Sequence, residues 1–429
     1  MQTVLLVIAI AGIAYVLAHY VVERLQARIL MSSGVEYLIL GLLLGPFMPW
    51  DGPIDEPTLR SLYPVMSLVI GALGLLTGLR ANFRALLIRQ DEAGQLAMTV
   101  FVFAGSAVGL GSWALLSTPV LGSYTGEQAM AGAAVLGASA TVSSAGALAL
   151  VQRLFKAEGA LTRLLDGTMR AAELLAIMAF GTVFCVFHAS DPEHADWTYA
   201  NWLLVTLGLG VGLGALFRLF IGDRFGDDDQ VFLAVLGIIV FASGAAYYLQ
   251  LSPLLVTLIL GMTLANVARC ADLILATMER QQRTLSLMLL VMAGAMWRPI
   301  ESSGWIVVLA YLLMRFGAKL LGGWAASASA PQGVPRDVGR GLLGHGNVAV
   351  AMAASFRLAF DGPVVDIAFT AILCSVVLSE LSSARQLKGL LLDSGDIQPE
   401  GLKPAADDPP AADLPPSEAS PAEPASKGA

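Results

Sequence analysis

Apolar residues along this chain gather into runs separated by short polar segments, and about thirteen of these runs are long enough to cross a bilayer core of about 30 Å. Their limits are 3–22, 32–49, 60–79, 93–117, 128–151, 164–187, 200–221, 230–249, 252–268, 284–297, 304–326, 342–360 and 364–384, with 284–297 the shortest. The first run has no basic segment before it and exceeds the core of a signal peptide, so it is expected to remain as a span. The pattern predicts an all-α, polytopic membrane protein.

Charge between the runs supplies an independent check, because short cytoplasmic loops are rich in Lys and Arg. Alternate loops carry Arg24 and Arg28; Arg80, Arg84 and Arg89; Arg153, Lys156 and Arg163; Arg224; Arg269, Arg280 and Arg283; Arg336 and Arg340; and Arg385 and Lys388. The intervening loops include the acidic stretches WDGPIDEP and HASDPEHADW, with Arg60 and Arg298 as the clear basic exceptions. Thirteen spans with the N-terminus outside and the C-terminus cytoplasmic fit this alternation, as expected of a multi-pass inner-membrane protein.

After Leu392 the sequence turns to Pro, Ala, Ser and acidic residues, a composition with too little apolar surface to fold. The expected organisation is a membrane domain over 1–392 and a disordered cytoplasmic tail over 393–429. Overall, 56% of residues are hydrophobic, 14% are charged and the mean hydropathy is +0.71, which excludes an ordinary soluble protein. Much of the acidic excess, 33 Asp and Glu against 25 Lys and Arg, lies in the tail and a few loops, giving nucleic-acid binding no support. Cys185, Cys270 and Cys374 lack CxxC spacing and are odd in number, so no disulfide framework, metal site or cofactor is expected. No GxxxxGK[ST] loop suggests an ATP-driven pump, and neither HExxH nor GxSxG supports an intramembrane hydrolase.

Candidate chemistry lies where polar residues interrupt the apolar runs. In the sixth span, LLDGTMRAAELLAIMAFGTVF carries Glu173 in its middle. A carboxylate at that depth costs roughly 2.5 to 3.5 kcal/mol on insertion scales and usually faces a partner, a cavity or a permeant ion. A carboxylate that accepts either a proton or a hard cation is a minimal coupling device; the structural alternative is an acid tied to Arg170 one turn earlier. In the fifth span, GASATVSSAGALALV places Thr141, Ser143 and Ser144 among small residues. Such a helix can unwind and offer backbone carbonyls to a cation, or it can simply form a close-packing face. The eleventh span holds Arg315 and Lys319 one turn apart, Lys319 being expected to snorkel to the cytoplasmic face. The twelfth opens with GHGNVAVAMAASF, where His345 is a candidate pH-sensitive group at the membrane edge, or a structural residue.

Together these segments resemble the monovalent cation/proton antiporter superfamily. LLDGTMRAAELLAI is similar to that family's LLEGESLLNDGVAI, with Glu173 in place of the ion-binding Asp, and SATVSSAGALALVQRL is similar to SATDPVAVLAIL, with Thr141 on the Thr of the unwound helix. YLILGLLLGP, LSPLLVTLILGMTLAN and LLGHGNVAVAMA resemble further family elements, and Arg315 falls where the family has an intramembrane Arg or Lys. The resemblance runs from about Tyr37 to Leu381. It implies a homodimer in the lipid bilayer, inverted repeats with crossed broken helices, and elevator-like exchange of Na+ or K+ for H+.

Three departures stand beside it. The residue before the key acid is Ala172 where the family has Asn or Asp, the Asp of TDP is Val142, and the Glu of GES is Thr168. A single remaining acid implies one-for-one electroneutral exchange, with a Glu173–Arg315 ion pair as either the empty state or a permanent lock. The alternative to transport is a degenerate relative serving as a membrane scaffold or sensor. Spacing leaves Na+ and K+ both open.

Overall fold

The computed structural model describes residues 34–47, 54–81, 92–118, 124–188, 197–221, 228–268, 271–329 and 334–397. The run at 3–22, the tail beyond 397, Cys270 and the loop residues Arg24, Arg28, Arg84, Arg89, Arg224 and Arg269 lie outside them. Among the described residues all regular structure is helical. The second to fourth runs become α1 (Val35–Leu44), a short α2 (Glu56–Ser61), α3 (Tyr63–Arg80) and α4 (Glu92–Leu116). The fifth is split into α5 (Gly126–Thr141) and α6 (Gly146–Phe155), and the sixth is α7 (Ala160–Val186). There follow α8 (Tyr199–Ile221), α9 (Asp228–Tyr248), α10 (Pro253–Val267), α11 (Ala271–Ala295) and α12 (Gly304–Ser329). The twelfth run is again split, into a 3-10 turn (Val338–Leu342) and α13 (Gly346–Ala359), before the final α14 (Pro363–Asp393). The tenth span begins at Ala271 rather than 284, because charged Glu279, Arg280 and Arg283 interrupt its hydropathy without interrupting the helix.

Helix packing follows an inverted repeat with an offset of seven spans. The fifth span and the twelfth are the two broken ones, and the fourth and eleventh, α4 and α12, pack on each other. The second packs on the tenth, α1 on α11; applying the offset turns that pair into the ninth and third, α10 on α3, which also pack together. An odd offset makes related spans cross the membrane in opposite directions. The two broken helices therefore enter from opposite sides and meet head to head.

Close helix contact depends on glycine at the paired interfaces, as is usual where lipid supplies no hydrophobic drive between helices. A Cβ on Gly261 of α10 would lie 2.4 Å from the Leu75 carbonyl of α3, and one on Gly78 would lie 2.2 Å from Leu258 O. On the related pair, a Cβ on Gly294 would lie 2.1 Å from Leu38 O. Leu204, Leu219, Leu233 and Phe241 on α8 and α9 are exposed, an outer surface suited to lipid.

The two ends of the bundle are tied differently. At one end Arg298 and Arg60 both reach Glu56 Oε1, at 2.8 and 2.9 Å, so the two basic exceptions among the acidic loops share one carboxylate. The hydrogen bond from Arg60 is the main influence holding the Glu56 carboxyl below its usual range. At the other end the chain folds back after α14, where Asp396 accepts hydrogen bonds from Thr162 N and Oγ1, both 2.7 Å, at the start of α7. Ile397 is buried there, so the packed chain continues past the boundary expected at 392.

Replacing Gly261 by Val is expected to force α3 and α10 apart at a cost of about 1–3 kcal/mol or more. Replacing Gly208 by Ala, where a Cβ meets nothing within 4 Å, should leave stability nearly unchanged. Thermal unfolding of the two variants in detergent checks this; equal midpoints would contradict the packing account.

Candidate functional site

The break in the fifth span falls where short polar side chains compete with the helix. Ser139 Oγ donates to Leu136 O at 2.9 Å and Thr141 Oγ1 to Ala138 O at 2.6 Å, after which Val142, Ser143 and Ser144 leave helical geometry. The opposing break, Leu343 to His345, lies directly against it. Ser144 N donates to Gly344 O at 3.0 Å and Ser143 Oγ to Leu342 O at 3.1 Å, so the two chains are hydrogen-bonded where they cross. Gly346 has φ +68 and a Cβ there would sit 2.2 Å from Ser144 Oγ, which requires glycine on both counts.

Two helix C-termini thus point carbonyls into the middle of the protein, each a partial negative charge. They are met by α12. Lys319 Nζ donates to Thr141 O at 2.8 Å, Val142 O at 3.0 Å and Ser143 Oγ at 2.5 Å. Arg315 Nη2 donates to Leu343 O at 3.1 Å, with longer contacts to Val142 O at 3.4 Å and Gly344 O at 3.5 Å. Both side chains are 0% exposed. Spacing of four residues puts them on one face of α12, one above the other.

Four expectations are corrected by this arrangement. Lys319 does not snorkel, because the carbonyls of the crossing give its ammonium better partners than a distant interface. Arg315 forms no ion pair with Glu173 among the described residues, since its guanidinium is drawn to the same carbonyls. The unwound carbonyls of Thr141 and Val142 are consequently occupied by a tethered cation rather than left open for a free one. His345 is also not at the membrane edge: it is fully buried at the crossing, with Nε2 2.9 Å from Ser139 O.

Glu173 stands apart from that cage. It is half-buried on the wall of a cavity of about 590 Å³ that also meets Ser144, Asn347, Ser286 and Thr77 and extends to Asp166 and Glu279 at the bundle end. Both arginines lining the cavity have other acidic partners. Arg170 pairs with Asp166 at 2.9 Å, and Arg80 with Glu279 at 3.0 Å and Gln282 at 2.8 Å. The Arg170–Glu173 tie is therefore not formed, and among the described residues the Glu173 carboxylate has no hydrogen bond or ion pair. Of the hydroxyls singled out in the fifth span, Ser144 lines this cavity; Thr141 and Ser143 belong to the crossing. Asn347 and Ser286 were not anticipated. Asn347 is legible in hindsight as the one amide opening the apolar run of α13.

The profile of a family described as "Sodium/hydrogen exchanger, transmembrane" matches residues 7–385. The chain belongs to the sodium/hydrogen exchanger family. A structure of the sodium proton antiporter MjNhaP1 from Methanocaldococcus jannaschii at pH 8 aligns with this family member at a TM-score of 0.61 and 18% identity, covering 91% of this chain and 99% of that one. An electron-microscopy structure of the same antiporter gives 0.58 and 17%, over 91% and 97%. That likeness establishes the fold, polytopic and all-helical, with inverted repeats and crossed broken helices. Among curated proteins none matches by sequence.

This exchanger-family chain keeps its three departures buried. Val142 is enclosed and contributes its carbonyl to Lys319 and Arg315; Thr168 Oγ1 bonds Leu164 O of its own helix at 2.8 Å; Ala172 faces the protein interior. Two cations on α12 and no acid at the crossing is a self-consistent set, since the carbonyl ends supply the negative charge.

Lys319→Met is expected to strand the Thr141 carbonyl and leave the Val142 carbonyl with only its longer contact to Arg315, costing about 1–3 kcal/mol for a group stranded. A lowered unfolding midpoint in detergent is the expected readout, and an unchanged midpoint would show that the ammonium does not hold the crossing.

Proposed function

We propose that the protein is a secondary antiporter that exchanges a monovalent cation, Na+ or K+, for H+, with Glu173 as the group that alternates between them. The supporting observation is the Glu173 carboxylate itself, on the wall of a polar cavity with every nearby arginine engaged elsewhere. Membership of the sodium/hydrogen exchanger family supports the same reading.

A cation entering the cavity passes Asp166 and Glu279, whose charges are balanced by Arg170 and Arg80. It then meets the carboxylate of Glu173 together with oxygens from Ser144, Asn347 and water, the hard ligands that alkali cations prefer. Proton and cation compete for one carboxylate, so each turnover carries one or the other, and exchange is one for one and electroneutral. Lys319 and Arg315 stay on the crossing and fix its geometry. By the loop charges the cavity mouth lies on the cytoplasmic side of the inner membrane, with the N-terminus outside and the C-terminus inside. The working unit is a homodimer, as the family resemblance implies, and the tail beyond 397 is a cytoplasmic appendage.

A second reading, a membrane scaffold or sensor without transport, is favoured by one observation: the cage of unwound carbonyls already holds Lys319. A cation bound only by the folded chain raises apparent stability by mass action. Stabilisation by Na+ or K+ favours the antiporter, and its absence at every pH favours the scaffold.

Proteoliposomes with an imposed pH gradient test the transport step. Addition of Na+ or K+ should dissipate the gradient with wild-type protein, and Glu173→Gln should abolish this without lowering the unfolding midpoint. Failure of Na+, K+ and Li+ alike in wild type, or full activity in the variant, would reject the proposal.

A further inference from the structure

A second acid lies within a candidate membrane span, as Glu173 does. Glu380 is near the middle of α14, as Glu173 is near the middle of α7. These helices are the sixth and thirteenth spans, the pair that the seven-span offset relates, so the repeat sets one carboxylate on either side of the crossing. One oxygen of Glu380 is fully buried, and an acid enclosed within a membrane span usually marks a functional group.

Glu380 lines a cavity of its own, about 60 Å³, together with Ser144 and Gly146 of the first break, Gly346 and Asn347 of the second, and Leu290 of α11. Ser144, Gly146 and Asn347 also line the large cavity beside Glu173. The two carboxylates are thus separated by the same hydroxyl and the same amide. A volume of that size has room for about two waters, which suits a proton rather than a cation and its ligands.

Glu380 has a further partner in the folded chain, Arg385 lies five residues on along α14, and further charged groups come from the other surrounding elements. Arg315 on α12 interacts electrostatically with Glu380, and it holds the Leu343 and Gly344 carbonyls of the second break. His345 heads α13 with Nε2 on Ser139 O, and Glu36 on α1 accepts from Gly34 N at 3.0 Å. The lining residues from α6 and α11 carry no charge.

We propose that Glu380 is a second proton-binding carboxylate, reached through the small cavity beside Ser144 and Asn347, that takes up a proton but no cation and tunes the crossing through Arg315. A hydronium ion in the cavity transfers its proton to the carboxylate, leaving water and a neutral acid. Loss of that negative charge leaves Arg315 with the carbonyls it already holds, those of Leu343, Gly344 and Val142, as its only described partners, which strengthens its hold on the crossing. Proton binding at Glu380 stands on this geometry alone, whereas its effect on exchange rests on the antiporter reading.

Infrared difference spectra of the full chain in lipid, recorded between about pH 5 and pH 9, test the proposal without requiring transport. Glu380→Gln should lose one carboxylic-acid C=O band that Glu173→Gln retains, and Glu380→Asp should shift that band. No change in either Glu380 variant would overturn it, and the Asp variant decides the matter if the Gln variant fails to fold. In proteoliposomes, Glu380→Gln should retain one-for-one exchange while the pH profile of its rate shifts by about one unit or more, the minimum for a strongly coupled site. A wild type without exchange would sink the antiporter reading and leave the infrared result to judge Glu380.

Discussion

Two half-helices that meet end to end inside a membrane leave a concentration of unpaired carbonyls where no water competes to satisfy them. The structure resolves this with the cations of α12, Lys319 on the first break and Arg315 chiefly on the second. Everything else at the centre follows. Gly344 and Gly346 are small so that the breaks can touch, Ser143 and Ser144 stitch them together, and α12 packs against α4 to deliver its two charges. An isolated buried ammonium would be very costly; one that collects two carbonyls and a hydroxyl at a helix C-terminus is matched by the local field.

Satisfying the crossing with tethered charge separates the scaffold from the proposed exchange site. The unwound carbonyls are held here by cations that are part of the chain, and the cavity beside Glu173 stands apart from them as the proposed site of the mobile ion. Pairing of Arg170 with Asp166 and of Arg80 with Glu279 keeps positive charge from closing on that carboxylate. The same division explains how the chain does without acids at positions 142 and 168 and without an amide or acid at 172. Their replacements are apolar or self-satisfied, and none strands a charge.

Much of the architecture was legible in the sequence because membrane spans announce themselves through hydropathy. Twelve of the expected runs correspond to described helices, and the break at Thr141–Ser144 was one of two readings that small and hydroxyl-bearing residues in an apolar run left open, the other being a close-packing face. The position of Glu173 was legible as well, since an acid in hydrocarbon needs a reason. What failed was direction. Periodicity says that Arg315 and Lys319 share a face, but which carbonyls lie opposite depends on a crossing assembled from one break 173 to 178 positions earlier in the chain and another 28 or 29 positions after Arg315. Lys319 therefore looked like a snorkelling side chain, and Arg315 like the partner of Glu173. Asn347 and Glu380 escaped for a related reason: each becomes informative only when the fold sets it beside Ser144.

The central claim is that one carboxylate, Glu173, is shared by a proton and a cation. Proton release on cation binding measures that directly: purified protein in weakly buffered detergent is mixed with Na+ or K+, and the protons set free per chain are counted. The account predicts release that saturates with cation, falls away as the pH is raised until Glu173 is already ionised, and is absent in Glu173→Gln. Equal release from wild type and the variant, or none with either cation at any pH, would contradict it.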